Sequence, residues 1–223
     1  PHLGEFLARH PQLRLELVMD DGLANIIAEG SDVGIRLGQS LAEHMVAVPI
    51  TPPVRMAVVA SPAYLARHGL PASPDELAQH NCVQYRYVRG GLHRWEFQTP
   101  GPGGNAFTLE TQGNLTVNDD EAMVRAALQG VGLIQHIDVA VQTHLDEGRL
   151  VRVLEAWCPP FAGFHLYAPT REQMPAKVRA LVDFLVAKRE LMAQAAQAAQ
   201  ARQALGATPS QRLKARRKLD KSS

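Results

Sequence analysis

The sequence has few of the residues that mark disulfide-stapled or membrane proteins. Cysteine occurs twice in 223 residues, at Cys82 and Cys158, and neither belongs to a CxxC pair. This usage favours buried, reduced thiols in a cytosolic protein and leaves a disulfide open. Aromatic residues make up only 5% of the chain. No apolar run approaches the length of about 18 residues that a bilayer crossing needs, so we expect no membrane span.

Motifs for enzyme chemistry are also missing. The chain contains no G-x-S-x-G elbow, no P-loop and no G-x-G-x-x-G turn. Its nine histidines are scattered, and only His144 and Glu147 have a local spacing that metal ligands use. Neither cysteine lies at a predicted helix N-terminus, where a thiol pKa is lowered. The sequence therefore predicts no enzyme, no cofactor and no metal site.

Positive charge is concentrated at one end of the chain. Residues 188–223 carry nine Lys or Arg and two acidic residues, whereas the preceding 187 residues carry 14 basic and 20 acidic residues. An acidic body argues against a nucleic-acid groove on the folded part. Residues 191–205 are rich in Ala and Gln and favour a helix. Residues 206–223 are basic and are predicted to be disordered, with contact to DNA phosphates left open.

The most informative segment runs from Arg55 to Asn81. Met56 to Ala60 is a continuous apolar run, which predicts a strand buried on both faces in a parallel sheet. Ser61 is placed to cap the next helix, with Pro62 at its first position and Gly69 after its end. A strand that leads into a helix N-terminus is where ligands sit in open α/β sheets. Ser61 is therefore a candidate ligand contact as well as a cap.

Helices and strands alternate along the rest of the chain, which predicts an α/β fold. A hairpin is predicted from His93–Gln98 and Phe107–Leu109, around a Gly/Pro cluster. The other predicted strands are Leu13–Met19, Val33–Leu37, Met45–Ile50, Cys82–Arg86, Leu115–Val117, Leu133–Gln135, Leu150–Leu154 and Phe164–Tyr167. The other predicted helices are Leu3–Arg9, Leu23–Glu29, a short helix from Pro74, Asp119–Gln129, Asp138–Leu145 and Pro175–Ala187.

Six segments, in order, resemble the effector-binding domain of LysR-type transcriptional regulators, over about residues 3–187. The family's "V-V-A-S-P-x-Y-L" run, with its following "P-x-D-L", matches Val58 to Leu77, with one extra acidic residue at the end. The other five matches are Phe6–Pro11, Asp32–Gly38, Val117–Asp119 followed by Ala126–Leu133, Gly148–Leu154 and Ala176–Leu185.

The resemblance implies a periplasmic-binding-protein-like (type II) architecture with two Rossmann-like lobes. Two crossover strands, near residues 50–54 and 148–151, would join the lobes as a hinge. Lobe I would comprise residues 1–52 and 150–187, and lobe II residues 53–149. Residues 188–223 would form the Ala/Gln-rich helix and the basic tail.

The resemblance also implies a function. The domain would bind a small anionic effector between the lobes and would act in the cytoplasm as part of a homodimer or homotetramer. DNA would be bound only through a winged helix-turn-helix N-terminal to this chain. Two alternatives are open: a free-standing solute-binding protein of the same fold, and an enzyme that uses the cleft.

Four further residues are candidate effector contacts. Asn118 follows a predicted strand and precedes an acidic helix start; the alternative is that it caps that helix. Gln135 and His136 form a polar pair at a strand end, although His136 is also placed to cap the next helix. Arg36 lies in an apolar strand, where it either pairs with Asp20, Asp21 or Asp32 or offers a fork for a carboxylate.

Overall fold

A computed structural model describes residues 2–19, 31–38, 45–88, 90–169 and 174–206, apart from the side chains of Met45, Pro169 and residues 195–206. Contacts divide the chain into two compact units. Unit 1 comprises Pro1–Pro11, Val33–Pro52 and Phe164–Ser223, and unit 2 comprises Gln12–Asp32 and Pro53–Gly163. Each unit has its own sheet and helices, so the predicted α/β class is confirmed.

Unit 1 is built on an antiparallel sheet of three strands. Strand β10 (Phe164–Pro169) lies between β1 (Gly34–Leu37) and β2 (Met45–Pro49). Helix α5 (Ala176–Gly206) packs its first turns on this sheet through a cluster that includes Val178 and Leu166. Helix α1 (Leu3–Arg9) inserts one buried side chain, Phe6, whose ring centre lies 5.2 Å from that of Phe184. The apolar faces of α1 and α5 therefore contribute to the core of this unit.

Unit 2 is built around strand β3 (Met56–Ala60), which lies between β8 (Ile134–Ile137) and β9 (Val151–Val153). Strand β4 (Gln84–Tyr85) pairs in parallel with β7 (Thr116–Val117), and a parallel bridge from Cys82 to Leu133 joins this pair to β8. The strand order is therefore β7-β4-β8-β3-β9.

The predicted burial of β3 on both faces is confirmed, but its predicted parallel pairing is wrong. Val58 and Val59 are both fully buried. Both neighbours of β3 nevertheless run antiparallel to it. A continuous apolar run indicates that both faces of a strand are covered. It does not indicate the direction of the neighbouring strands. The antiparallel direction of β3 decides at which end of the sheet the chain leaves this strand.

The two faces of the unit 2 sheet are covered by different elements. Val58 faces a cluster formed with α2 (Pro62–His68), a 3₁₀ helix (Pro74–Gln79) and the hairpin of β5 (Trp95–Gln98) and β6 (Ala106–Leu109). Its neighbour Val59 faces a second cluster, formed with α3 (Asp120–Leu128) and α4 (Asp138–Asp146). Because successive side chains of β3 point to opposite faces, this strand contributes to both clusters.

Most predicted elements are confirmed, and one strand is wrong. The predicted hairpin is present, with Trp95 opposite Leu109. Within the described part of the chain, residues 12–19 form neither helix nor strand, and Leu17, Val18 and Met19 are exposed. A strand needs hydrogen-bond partners for its backbone groups. The alternation of apolar and polar residues over 13–19 does not supply a neighbouring strand. The predicted helix Leu23–Glu29 lies outside the described residues.

The chain passes from unit 2 to unit 1 later than its sequence indicates. We predicted a return near residues 148–151, whereas β9 pairs with β3 and the chain enters unit 1 at Phe164. The proposed lobe limits stay predictions. Helix α5 is continuous through Gly206, which joins the two predicted helices 175–187 and 191–205. The basic residues 207–223 lie outside the described residues.

The two cysteines are buried and unpaired, as predicted. Burial raises the pKa of Cys82 to about 12 and that of Cys158 to about 11. Both thiols therefore stay protonated at neutral pH, where a reactive cysteine would be ionised. In the described ranges, we find no helix with the length and apolar character needed to traverse a lipid bilayer.

Candidate functional site

Three strands of the unit 2 sheet end at the same edge. Strands β4 and β7 are parallel, and the backbone N–H of Arg86 donates to the carbonyl of Val117 at 2.7 Å. Strand β8 runs in the same direction, because the Cys82–Leu133 bridge is also parallel. Arg86, Asn118 and His136 therefore lie at the ends of adjacent strands on this side of the sheet. We call this end of the sheet the carboxyl edge; ligands of open α/β sheets bind at such edges.

Ser61 lies at the opposite end of the sheet. Strand β3 is antiparallel to β8, with Met56 opposite Ile137 and Val59 opposite Ile134. The chain therefore leaves β3 where β8 begins, and the four steps from Met56 to Ala60 cover about 13 Å. Within unit 2, the structure brings Asn118 and His136 together and separates both from Ser61.

The cap predicted at Ser61 is confirmed. Its hydroxyl oxygen accepts a hydrogen bond from the backbone N–H of Tyr64 at 3.3 Å, and the residue is buried. A cavity of about 420 Å³ lies beside it. The lining residues are Ser61, Pro62, Ala63, Leu128, Gln129, Gly148 and Arg149. Contact between Ser61 and an effector stays a prediction.

Replacing Ser61 with alanine is expected to lower the free energy of unfolding by about 1 kcal/mol, because the helix loses its side-chain cap. Ser73 provides a matched control, since it also precedes a proline at a helix start but makes no capping hydrogen bond. Urea denaturation of both variants measures the difference. Equal losses for Ser61→Ala and Ser73→Ala would contradict the capping role.

Asn118 is exposed at the carboxyl edge and does not cap α3. The cap is Asp119, whose Oδ1 accepts a hydrogen bond from the backbone N–H of Ala122 at 2.7 Å. The alternative interpretation of Asn118 as a helix cap is therefore wrong. Its side-chain amide, which carries both donors and an acceptor, is exposed at the edge. Its contact with an effector stays a prediction.

His136 faces the first turn of α3. Its Nε2 lies 3.4 Å from Oδ1 of Asp120, an ion-pair distance without hydrogen-bond geometry. Contact with His136 lowers the pKa of Asp120 below its usual value, against burial, which raises it. The N-cap position of α4 belongs to Ile137, so the alternative role of His136 as that cap is wrong. Both ring nitrogens of His136 are buried, and neither has a hydrogen-bond partner among the described residues.

Gln135 is buried and holds the hairpin of β5 and β6 against β8. Its Oε1 accepts a hydrogen bond from the backbone N–H of Glu96, and its Nε2 donates to the carbonyl of the same residue, both at 2.9 Å. The side chain is only 2% exposed. This geometry favours a structural role at the site, and direct contact with an effector stays a prediction.

Three residues of the carboxyl edge were missed by the sequence analysis. Arg86 and Tyr87 directly follow β4, and the Tyr87 hydroxyl lies 2.7 Å from Nδ1 of His93. The available signal was positional: Arg86 ends a predicted strand, as Asn118 does. His93 follows the Gly90–Gly91 turn and gave no separate signal.

Stability is expected to fall below about pH 6.5 because of His93. Burial lowers the pKa of His93 from the usual 6.5, against the attraction of Glu96. Between the usual and the lowered pKa the unfolded chain binds more protons, so acid favours unfolding in that range. His93→Asn should lose less stability than the parent chain as the pH falls below about 6.5.

Urea titrations at several pH values measure this slope, with His2→Asn in unit 1 as the control. An unchanged slope in His93→Asn would contradict the assignment.

Arg36 belongs to unit 1. It lies on β1, half-buried, opposite His165 of the central strand β10. Two of the Asp residues considered as its partners, Asp20 and Asp21, lie outside the described residues. The five predicted effector contacts are thus distributed over unit 1, the carboxyl edge, the interior of unit 2 and the opposite edge of its sheet.

Comparison with known proteins identifies the family. The family model described as the LysR substrate binding domain matches residues 1–190. A putative transcriptional regulator of Pseudomonas aeruginosa is 42% identical over 186 residues, which cover 83% of this chain and 60% of that protein. The transcriptional regulator PgrR of Escherichia coli is 32% identical, over 83% of this chain and 61% of that protein. The chain therefore spans about three-fifths of the length of these relatives.

Solved structures agree. The regulatory domain of CrgA from Neisseria meningitidis is 29% identical with a TM-score of 0.68, over 84% of this chain and 90% of that domain. Full-length AphB from Vibrio cholerae is 25% identical with a TM-score of 0.71, over 85% of this chain and 62% of that protein. The predicted periplasmic-binding-protein-like fold is confirmed. The chain belongs to the LysR substrate-binding domain family.

Proposed function

We propose that this chain is the effector-sensing domain of a LysR-type transcriptional regulator. It binds a small anionic metabolite between its lobes and passes the change to the packing of subunits in a homodimer or homotetramer. The regulator acts in the cytoplasm and contacts DNA through an N-terminal domain outside this chain. The names of the relatives support this assignment, since the matched proteins are transcriptional regulators.

The observation that carries the proposal is the placement of polar residues at the ends of three adjacent strands, at the carboxyl edge. Arg86, Asn118 and His136 end three different strands there, and the sequence carries no motif for catalysis. A site of this kind binds and orients a ligand with few, fixed polar groups. Arg36 on β1 is the contribution that we propose from lobe I. Ser61 lies at the other end of the unit 2 sheet and is the weakest of the predicted contacts.

Sensing requires that the effector bind one arrangement of the domain more tightly than another. The free energy of that preference is all that is available to shift subunit packing. Direct contacts from side chains on two lobes provide such a preference, because they form together only in one arrangement. Contacts confined to one lobe would bind the effector without transmitting a signal.

The proposal predicts saturable ligand binding by the purified chain. A thermal-shift screen against a broad metabolite panel should find at least one compound that raises the melting temperature in a dose-dependent way. Asn118→Ala should reduce that shift, and Ser61→Ala should retain it after correction for the lower stability of the apo variant. A panel with no saturable hit would contradict effector sensing by this domain.

A further inference from the structure

The surroundings of His136 are unusual for a polar side chain. Only 11% of this side chain is exposed, and both ring nitrogens are buried without a hydrogen-bond partner among the described residues. Buried polar atoms nearly always have a partner, so each exception calls for an explanation. A neutral imidazole has one donor and one acceptor, whereas the protonated ring has two donors. The charge of His136 therefore decides which contacts can satisfy it.

A carboxylate of the first turn of α3 lies close to this ring. Asp120 is the first residue of the helix, and its Oδ1 is 3.4 Å from Nε2 of His136. A charge-assisted hydrogen bond between these two atoms would have a length of about 2.8 Å. Reaching that length takes a movement of about half an ångström. The two groups are therefore placed to attract each other, with room for the contact to shorten.

The first turn of α3 is the part of this helix that can make such a movement. Residues 118–121 are exposed, whereas Met123 and Ala127 are buried in the cluster on the sheet. Strand β8 is fixed between β3 on one side and the pair of β4 and β7 on the other. Asn118 belongs to the exposed segment, so a movement of the first turn also moves Asn118 at the carboxyl edge.

The first turn of α3 acts on the charge of His136 in two ways. Its three carboxylates, at Asp119, Asp120 and Glu121, attract a protonated ring. The positive N-terminus of the helix repels it. Contact with His136 also lowers the pKa of Asp120 below its usual value, against burial. A charged ring and an ionised Asp120 therefore stabilise each other.

Other titratable or charged groups on the elements around the ring are Arg86, His93, Glu96, Asp138 and His144. His93 and His136 repel each other when both rings are charged, while Glu96 attracts a charge on His93. Strand β3 places an uncharged alanine opposite His136. Within the described part of the chain, the ion-pair contact of His136 is with Asp120.

We propose that His136 and Asp120 form a pH-sensitive switch between β8 and α3. When a proton binds to His136, the ion pair shortens and draws the first turn of α3, with Asn118, toward β8. When the ring is neutral, this turn is released. The inference goes beyond the proposed function, because it concerns the response of the chain to protons and requires no effector. The carboxyl edge then has different arrangements at about pH 8 and about pH 5, the range in which histidine changes its charge.

NMR of the isotope-labelled chain between about pH 8 and about pH 5 tests the switch with the proton as the only ligand. The ring signals of His136 should change with pH, and the backbone amides of residues 118–122 should shift along the same curve. Carboxyl groups titrate mainly below this range, so their own ionisation contributes little to these shifts. Amides that stay constant, or that follow a different curve from the ring, would overturn the inference.

A matched pair of variants on α3 assigns the response to the ion pair. In Asp120→Asn, the His136 ring should still titrate, while the amides of residues 118–122 lose most of their pH response. Glu121→Gln is the control, because Glu121 is exposed in the same turn and lies 3.4 Å from Arg125. This control should keep the response. Equal responses in the two variants would overturn the role of Asp120.

A second pair of variants separates the two histidines. His136→Gln should abolish the pH response of residues 118–122, and His93→Asn should retain it. A response that persists in His136→Gln, or that is lost in His93→Asn, would overturn the role of His136. Because Asp120 is exposed, Asp120→Asn still decides the question should His136→Gln fail to fold.

Discussion

Replacing Trp95 with alanine is expected to lower the free energy of unfolding of the chain by about 3–5 kcal/mol. Trp95 begins the hairpin strand β5, and its side chain is only 2% exposed. It belongs to the same cluster as Cys82 and Leu133. Truncation removes a large buried surface and leaves a cavity that the rigid sheet fills only in part. Urea denaturation followed by circular dichroism measures the loss.

Leu70→Ala is the control for Trp95→Ala, since Leu70 is 66% exposed. Its substitution should change stability by no more than about 0.5 kcal/mol. If Trp95→Ala were no more costly than this control, the hairpin would not be part of the core of unit 2.

Replacing Gln135 with leucine is expected to cost about 2–4 kcal/mol, although the new side chain is apolar and similar in size. The substitution removes both hydrogen bonds to Glu96 and leaves a backbone N–H and a carbonyl of the hairpin without those partners. These hydrogen bonds are part-buried, and a backbone group that loses its partner there costs more than a hydrogen bond contributes. Urea denaturation again measures the change, and hydrogen–deuterium exchange should show faster exchange in residues 86–98.

The control for Gln135→Leu is Gln142→Leu. Gln142 is exposed on α4, and its side-chain amide donates to Asp146, one turn along the same helix. This control should stay within about 0.5 kcal/mol of the parent chain. A stabilised Gln135→Leu variant, or one with unchanged exchange in the hairpin, would show that the amide does not anchor β5.

Local signals made much of unit 2 predictable. The run Met56–Ala60, the cap at Ser61 and the stop at Gly69 each depend on neighbouring residues, and all three are confirmed. The hairpin is equally local, because its strands alternate and flank a Gly/Pro cluster. In such segments the turn residues and the apolar period specify the same structure.

Long-range pairing was not predictable in the same way. The direction of β3 depends on residues 134–137 and 151–153, which are far away in the chain. That direction places Ser61 at the far end of the sheet from Asn118 and His136, which the local signals could not indicate. Residues 13–19 show the same limit, because alternation predicts a strand only where a partner strand is available.

Some polar residues of the candidate site could be identified from local sequence, and others could not. Asn118 and His136 were identified because they end strands, and strand ends are visible in the sequence. The role of Gln135 depends on the docking of the hairpin, with Glu96 separated from it by 39 positions. Tyr87 escaped notice because an exposed residue just after a strand adds nothing to the apolar periodicity of the sequence.

The central claim, that the carboxyl edge of unit 2 binds the effector, is tested most directly by amide NMR of the isotope-labelled chain. The ligand is the compound that raises the melting temperature most in the metabolite screen. We predict that the largest shift changes occur in residues 86–92, 118–120 and 136–138, while Ser61, Tyr64 and Gly130 are unaffected. Shift changes concentrated around Ser61 and Gly130, with residues 118–120 and 136–138 unchanged, would contradict the account.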